Sequence, residues 1–188
     1  MSISLSKGDK INLEKIDGSL YETVEMGLGW KGKGGLFSSG LIDLDASVLL
    51  FNKKGKLVDQ VWFRQLASKD RNITHSGDDR VGAGSGDNEV ITVQLSKLKE
   101  EIHSLIFTVN SFTGQTFDSV KKAFCRLVDS TNNSEIAKYD LSDCGGSHTG
   151  MVMAKLQRTS KGWKMEALGD TCQGRTFHDM LPLIESKL

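Results

Sequence analysis

Six acidic residues in two short stretches hold the most distinctive chemistry of this chain. The loop His75-Ser76-Gly77-Asp78-Asp79-Arg80-Val81-Gly82-Ala83-Gly84-Ser85-Gly86-Asp87-Asn88-Glu89 crowds four carboxylates and four glycines together. Asp43 and Asp45 sit upstream in Ile42-Asp43-Leu44-Asp45-Ala46-Ser47. Carboxylates held close together repel unless a cation lies between them. Glycine opens positive-φ backbone, so side chains and carbonyls can turn toward one point. Carboxylate, carbonyl, hydroxyl and amide oxygens on such a loop suit Ca²⁺, which takes about six to eight oxygen ligands in irregular geometry. Asp43 and Asp45 are two apart, so on a strand they share a face at roughly 7 Å.

Other glycine-rich loops fit less well. A dinucleotide fingerprint needs G-x-G-x-x-G between a strand and a helix. Gly82, Gly84 and Gly86 run G-x-G-x-G into a β pattern. A phosphate-binding P-loop ends in Gly-Lys-Ser/Thr, which is missing, and the acidic side chains would repel a phosphate. In an EF-hand register Arg80 falls two places after Asp78, where an acidic or amide ligand is required. Gly84-Ser85-Gly86-Asp87 resembles one β-helix calcium nonapeptide, but that motif works only in tandem repeats. The competing reading of the whole stretch is a solvated acidic turn.

The remaining candidates are weaker. Cys144 and His148 are four apart, and Cys172 precedes His178, but no C-x-x-C supports a zinc site. Cys125 lies in an apolar run and reads as core packing. Nothing marks a nucleophile elbow or a catalytic triad. His75 at the loop's edge can serve as a base or a ligand, or simply as a hydrogen-bonded loop residue. No catalytic residue is expected.

The elements that must position these residues are strands. Period-two or continuously apolar runs recur over 22–28, 42–51, 57–63, 90–95, 105–109, 124–128, 136–141, 151–156 and 163–168. Asn52-Lys53-Lys54-Gly55-Lys56 is turn chemistry, so 42–51 and 57–63 form a hairpin. Ile42 to Phe51 becomes continuously apolar, as a strand buried on both faces does. The expected fold is an all-β, two-sheet β-sandwich with calcium-binding loops at one end. A short helical turn is expected over Ser96 to Ile102. Phe177 to Leu188 reads as an amphipathic C-terminal helix, with Phe177, Met180, Leu181 and Ile184 on one face and Pro182 interrupting its middle. Lys31 to Gly40 is a Gly/Ser-rich loop. Residues 1–188 are expected to form one domain.

Bulk composition narrows the function classes. Lysine and arginine total 24 and balance 24 acidic residues. A neutral chain lacks the basic surface that neutralises phosphates, so nucleic acid is not an expected partner. No apolar run approaches the length of a transmembrane helix. The N-terminal residues lack a basic region followed by an apolar one, so no secretory signal is expected. Three widely spaced cysteines are not a disulfide framework and point to a reducing cytoplasm.

Several motifs resemble the TerD family of bacterial tellurium-resistance and stress proteins. They are Gly27-Leu28-Gly29-Trp30, Asp43-Leu44-Asp45-Ala46-Ser47, His75-Ser76-Gly77-Asp78-Asp79 and Gly84-Ser85-Gly86-Asp87-Asn88-Glu89. Gly114-Gln115-Thr116-Phe117, Ala123 to Asp129 and Tyr139-Asp140-Leu141 extend the likeness along nearly the whole chain. Val61-Trp62-Phe63-Arg64, Phe107 to Phe112, Gly146 to Gly150 and Gly174-Arg175-Thr176 are closest to the TerZ branch. The resemblance implies a β-sandwich that binds Ca²⁺ through acidic loops, in a cytoplasmic protein of the tellurite and chemical-stress response. It implies no enzymatic reaction. The implied partners are other tellurite-resistance proteins and a membrane-associated partner.

Carried onto this chain, the metal residues are Asp43, Asp45, Asp78, Asp79, Gly86, Asp87 and Glu89. The family pattern has Gly-Asp-Gly-Asp-Asp-Glu where this chain has Gly84-Ser85-Gly86-Asp87-Asn88-Glu89. Ser85 and Asn88 therefore become weak ligands of a second ion, because affinity follows ligand charge. Two other functions stay open. One is a calcium-dependent docking module for an anionic lipid or a membrane-associated partner, helped by Lys31 and Lys33. The other is a thiol-dependent tellurite-reducing enzyme using Cys125 or Cys172.

Overall fold

A computed structural model of the chain describes residues 2–32, 43–77, 86–141 and 146–188. Among these residues the chain forms strands β1 (Ile3–Leu5), β2 (Lys10–Asn12), β3 (Val24–Gly32) and β4 (Leu44–Phe51). β5 (Leu57–Val61), β6 (Ile73–His75), β7 (Glu89–Val93) and β8 (Ser104–Ser111) follow. β9 (Val120–Asp129), β10 (Ser134–Asp140), β11 (Gly150–Thr159) and β12 (Gly162–Cys172) complete the strands, and α1 (Leu181–Glu185) closes the chain. One sheet runs in the order β1-β10-β9-β3-β7-β6, the other β2-β12-β11-β8-β4-β5. The fold is the all-β, two-sheet sandwich expected from the sequence.

Alternation builds the interior. On β3, Val24, Met26, Leu28 and Trp30 enter the main core, whereas Glu25, Gly27 and Gly29 fall on the outer face. On β4, Leu44, Ala46, Val48 and Leu50 meet them from the opposite sheet. Leu49 and Phe51 point the other way into a second apolar cluster, so every residue of β4 is buried. The β4–β5 hairpin forms as expected. Asn52 Oδ1 accepts the N–H groups of Lys54 and Lys56 at 2.9 and 3.0 Å, and Gly55 supplies the positive φ of 75°.

The second cluster lies under the C-terminal segment, which is built differently from the single helix expected. A 3-10 turn, Phe177–Met180, precedes α1. Thr176 and Asp179 cap it with a capping box. Pro182 stands in the first turn of α1, where its missing N–H costs nothing and its fixed φ favours the helix. It starts the helix rather than breaking it. Phe177, Met180 and Ile184 bury fully against Leu49, Phe51, Ile106, Val152 and Leu168. Each such side chain contributes roughly 1.5–3 kcal/mol of burial.

Further boundaries differ from the sequence reading. The helical turn expected over Ser96 to Ile102 is a 3-10 turn at Leu95–Lys97. Lys31 and Gly32 continue β3, and the rest of the expected Lys31–Gly40 loop lies outside the described residues. β1, β2 and β6, each three residues long, were not expected.

Candidate metal centre

Three of the acidic residues, Asp43, Asp45 and Glu89, lie where β4 and β7, in opposite sheets, begin. Asp43 immediately precedes β4 and Asp45 is its second residue. Glu89 opens β7, and His75 ends β6 beside it. Asp78, Asp79 and Ser85 lie outside the described residues.

Glu89 points between the sheets and is fully buried. Its Oε2 accepts the N–H of Ala46 at 2.7 Å and stands 3.3 Å from His75 Nε2. His75 Nδ1 accepts the Gly77 N–H at 3.0 Å, so the ring proton belongs on Nε2. From there it can donate to Glu89 or to the Ala46 carbonyl, 3.2 Å away. His75 is therefore a strut that fixes the start of the acidic loop.

Asp87 and Gly86 lie elsewhere, over the outer face of β3. Arg126 Nε donates to both Asp87 oxygens, at 2.8 and 3.0 Å, while Arg126 Nη1 reaches Glu135 at 3.4 Å. Glycines leave the room beneath them. A Cβ on Gly27 would fall 2.3 Å from Asp87 Cγ, and one on Gly29 would fall 2.9 Å from the Gly86 carbonyl. The Asp87 carboxylate raises the Arg126 pKa further, mainly through their hydrogen bond. Asn88 is also engaged in the fold. Its Oδ1 accepts the Trp30 N–H at 2.9 Å, and its own N–H donates to Leu28 O at 2.8 Å.

Asp45 is on the face of β4 opposite to Glu89's contact. Its neighbours Leu44 and Ala46 enter the core between the sheets, so Asp45 lies on the outer face with Leu49 and Phe51. Asp45 is 5% exposed, and Asp45 Oδ2 and Asp43 Oδ1 are both buried oxygens. The residues expected to share one site thus divide among three places. Asp43 and Asp45 stand at the start of β4, Glu89 lies between the sheets, and Gly86 and Asp87 lie over β3. Among the described residues no group of three His, Cys, Asp or Glu side chains is placed to hold a metal ion together. Arg126 and the room left by Gly27 were missed. Gly27 and Gly29, two apart in one strand, were the available signal of a close approach.

The described thiols are poorly activated. Cys125 is fully buried. Burial, with Asp179 nearby, pushes the Cys172 thiol up. The Cys144 half of the expected Cys144–His148 pair lies outside the described residues. No described helix is long and apolar enough to cross a membrane.

Two packed sheets with acidic residues at the starts of β4 and β7 define a β-sandwich with an acidic end. The TerD domain matches residues 1–181, and the chain belongs to that family. It is 46% identical over 185 residues to "Tellurium resistance protein TerZ" of Serratia marcescens, covering 95% of this chain and 94% of that protein. It is 35% identical over 197 residues to "Stress response protein SCP2" of Bacillus subtilis (strain 168), covering 96% and 98%. A crystal structure of a homologue of telluride resistance protein (TerD) from Streptomyces coelicolor A3(2) shares the fold. Its TM-score is 0.70 at 21% identity, over 82% of this chain and 92% of that one.

Proposed function

We propose that this protein is a non-catalytic, calcium-binding member of the tellurite and chemical-stress response, working in the cytoplasm with other tellurite-resistance proteins. The observation that carries the reading is the pair Asp43 and Asp45, two residues apart, each with a buried carboxylate oxygen. Carboxylates drawn together repel, and a divalent cation between them relieves that repulsion. Asp43 and Asp45 would hold Ca²⁺, with Asp78 and Asp79 supplied by the loop that His75 and Glu89 anchor. Asp87 and Glu89 would act by shaping the loop, because Arg126 and the Ala46 N–H already engage them. The ion would supply positive charge and cross-linking of loops rather than chemistry on a substrate. The raised Cys172 thiol and the buried Cys125 favour this reading over tellurite reduction by either thiol.

Calcium titration by calorimetry, paired with thermal melting in EDTA and in millimolar Ca²⁺, tests the proposal. An ion that binds only the folded state adds roughly one to three kcal/mol, a shift of several degrees. Superimposable melting curves with no heat of binding would overturn it. Liposome co-sedimentation with and without Ca²⁺ distinguishes a structural ion from one that docks the protein to anionic lipid.

A further inference from the structure

The outer face of β4 and β8 carries buried polar atoms that the acidic loop does not explain. Asn110 of β8 is 1% exposed and pairs in register with Asp45 on one side and Gly150 of β11 on the other. Its Nδ2 donates to the Gly174 carbonyl at 3.3 Å and approaches Met180 Sδ at 2.8 Å. A carbonyl only accepts, so the carboxamide must turn its nitrogen toward Gly174. A Cβ on Gly150 would lie 2.9 Å from that nitrogen, which sets Nδ2 on the β11 side. The other branch of the planar amide, Oδ1, is therefore turned to the β4 side, where Asp45 is the register partner. Asn110 Oδ1 is buried and meets no hydrogen-bond donor among the described residues. Thr108 Oγ1, two residues along on the same face, is buried in the same condition.

A buried carboxamide oxygen left without a partner costs on the order of 1–3 kcal/mol. The carboxylate of its register partner Asp45 cannot satisfy that oxygen, since both accept. A hard divalent cation can be coordinated by both kinds of oxygen at once. We propose that Asn110 Oδ1 is a neutral oxygen ligand of the calcium ion held by Asp45. Through Nδ2, the same carboxamide ties that ion to the Gly174–Met180 segment and so to the docking of α1. This inference rests on the calcium reading above and adds to it both a ligand and a consequence. Ion occupancy is transmitted to the C-terminal cover of the second apolar cluster.

The test compares wild type, Asn110→Ala and Asn110→Asp by calcium calorimetry and by melting in EDTA and in millimolar Ca²⁺. Asn110→Ala should weaken calcium binding roughly tenfold or more. Asn110→Asp adds a second buried carboxylate beside Asp45. It should melt below wild type in EDTA and recover in Ca²⁺, giving the largest calcium-induced shift of the three. Amide hydrogen exchange on wild type supplies a readout independent of either variant, with protection over Gly174 to Glu185 rising when Ca²⁺ is added. If wild type binds calcium but all three proteins shift equally, or the C-terminal exchange is unchanged, Asn110 is no ligand and an ordered water satisfies its oxygen. If wild type binds no calcium, the calcium reading itself falls and takes this one with it.

Discussion

Glu89 of β7 accepts the N–H of Ala46 on β4 at 2.7 Å, so one bond joins the two sheets at their acidic end. The contact is wholly buried, and the partner N–H belongs to the residue directly after Asp45. Glu89→Ala should cost roughly 2–4 kcal/mol, because it opens a cavity and strands the Ala46 N–H. Glu89→Gln keeps an acceptor and should cost clearly less. Urea unfolding measures both. Equal losses would mean that the negative charge of Glu89, rather than its volume or an acceptor oxygen, matters at this position.

The Asp87–Arg126 pair makes a second prediction. Gly27→Ala puts a methyl group where the Asp87 carboxylate lies, so it should break the pair and cost roughly 1–3 kcal/mol. In an Asp87→Ala background the obstacle is gone. The further cost of Gly27→Ala should then shrink to a few tenths of a kcal/mol. A double-mutant cycle reads the coupling, and additive losses would show that Gly27 is required for another reason.

The long strands were legible because alternation and burial on β3, β4 and β7 are written in consecutive residues. β1, β2 and β6 were not. Three residues carry no period, and each strand exists because a partner lies alongside it. β1 pairs in parallel with β10, more than 130 residues away. The acidic stretches were visible as residue types, but not their partition. Asp87 turns away from Glu89 because Arg126, 39 residues later in sequence, lies across β3 from it. Asp45 and Glu89 take opposite sides of β4 through the register of two sheets. No local pattern contains that information. Pro182 was misjudged because the break between the 3-10 turn and α1 depends on how Phe177 and Met180 pack.

Asp129 gives the pH dependence. Burial alone would raise its carboxyl, but the Thr131 hydroxyl and N–H, with Lys15, together hold it below its ordinary value of 3.8. Thr131 Oγ1 donates at 2.6 Å and Lys15 Nζ lies at 3.2 Å. A carboxyl depressed on folding adds stability that is complete above its unfolded value and is lost as pH falls through the folded one. Unfolding free energy should therefore decline below about pH 4, and Asp129→Asn should flatten that decline. Asp129→Asn should leave calcium affinity unchanged, since Asp129 ends β9 and is held by Lys15 and Thr131. A variant as steep as wild type below that pH would show that other carboxylates govern acid stability.

Asp43→Asn and Asp45→Asn should each weaken calcium binding strongly, because each removes a charge from the pair proposed to hold the ion. Asp87→Asn should lose stability rather than affinity, as its partner is Arg126. Calorimetry on the three variants separates the two effects. Wild-type affinity in both Asp43→Asn and Asp45→Asn would place the ion elsewhere.

Ser85 and Asn88 stand where the resemblance to the family implies aspartates. Asn88 already serves the fold, since its Oδ1 holds the Trp30 N–H at 2.9 Å. Asn88→Ala should therefore cost roughly 1 kcal/mol, whereas Asn88→Asp keeps an acceptor at that point and should fold normally. The family pattern reads the added charge as ligand charge for a second ion. Ser85→Asp with Asn88→Asp should then tighten a second calcium-binding step and leave the first, built on Asp43 and Asp45, little changed. Wild type should show one tight step and a second that stays weak at micromolar calcium. Two equally tight steps in the unmodified protein would mean that backbone carbonyls supply what the missing carboxylates do not. Counting charges along the loop would then be the wrong guide to its affinity.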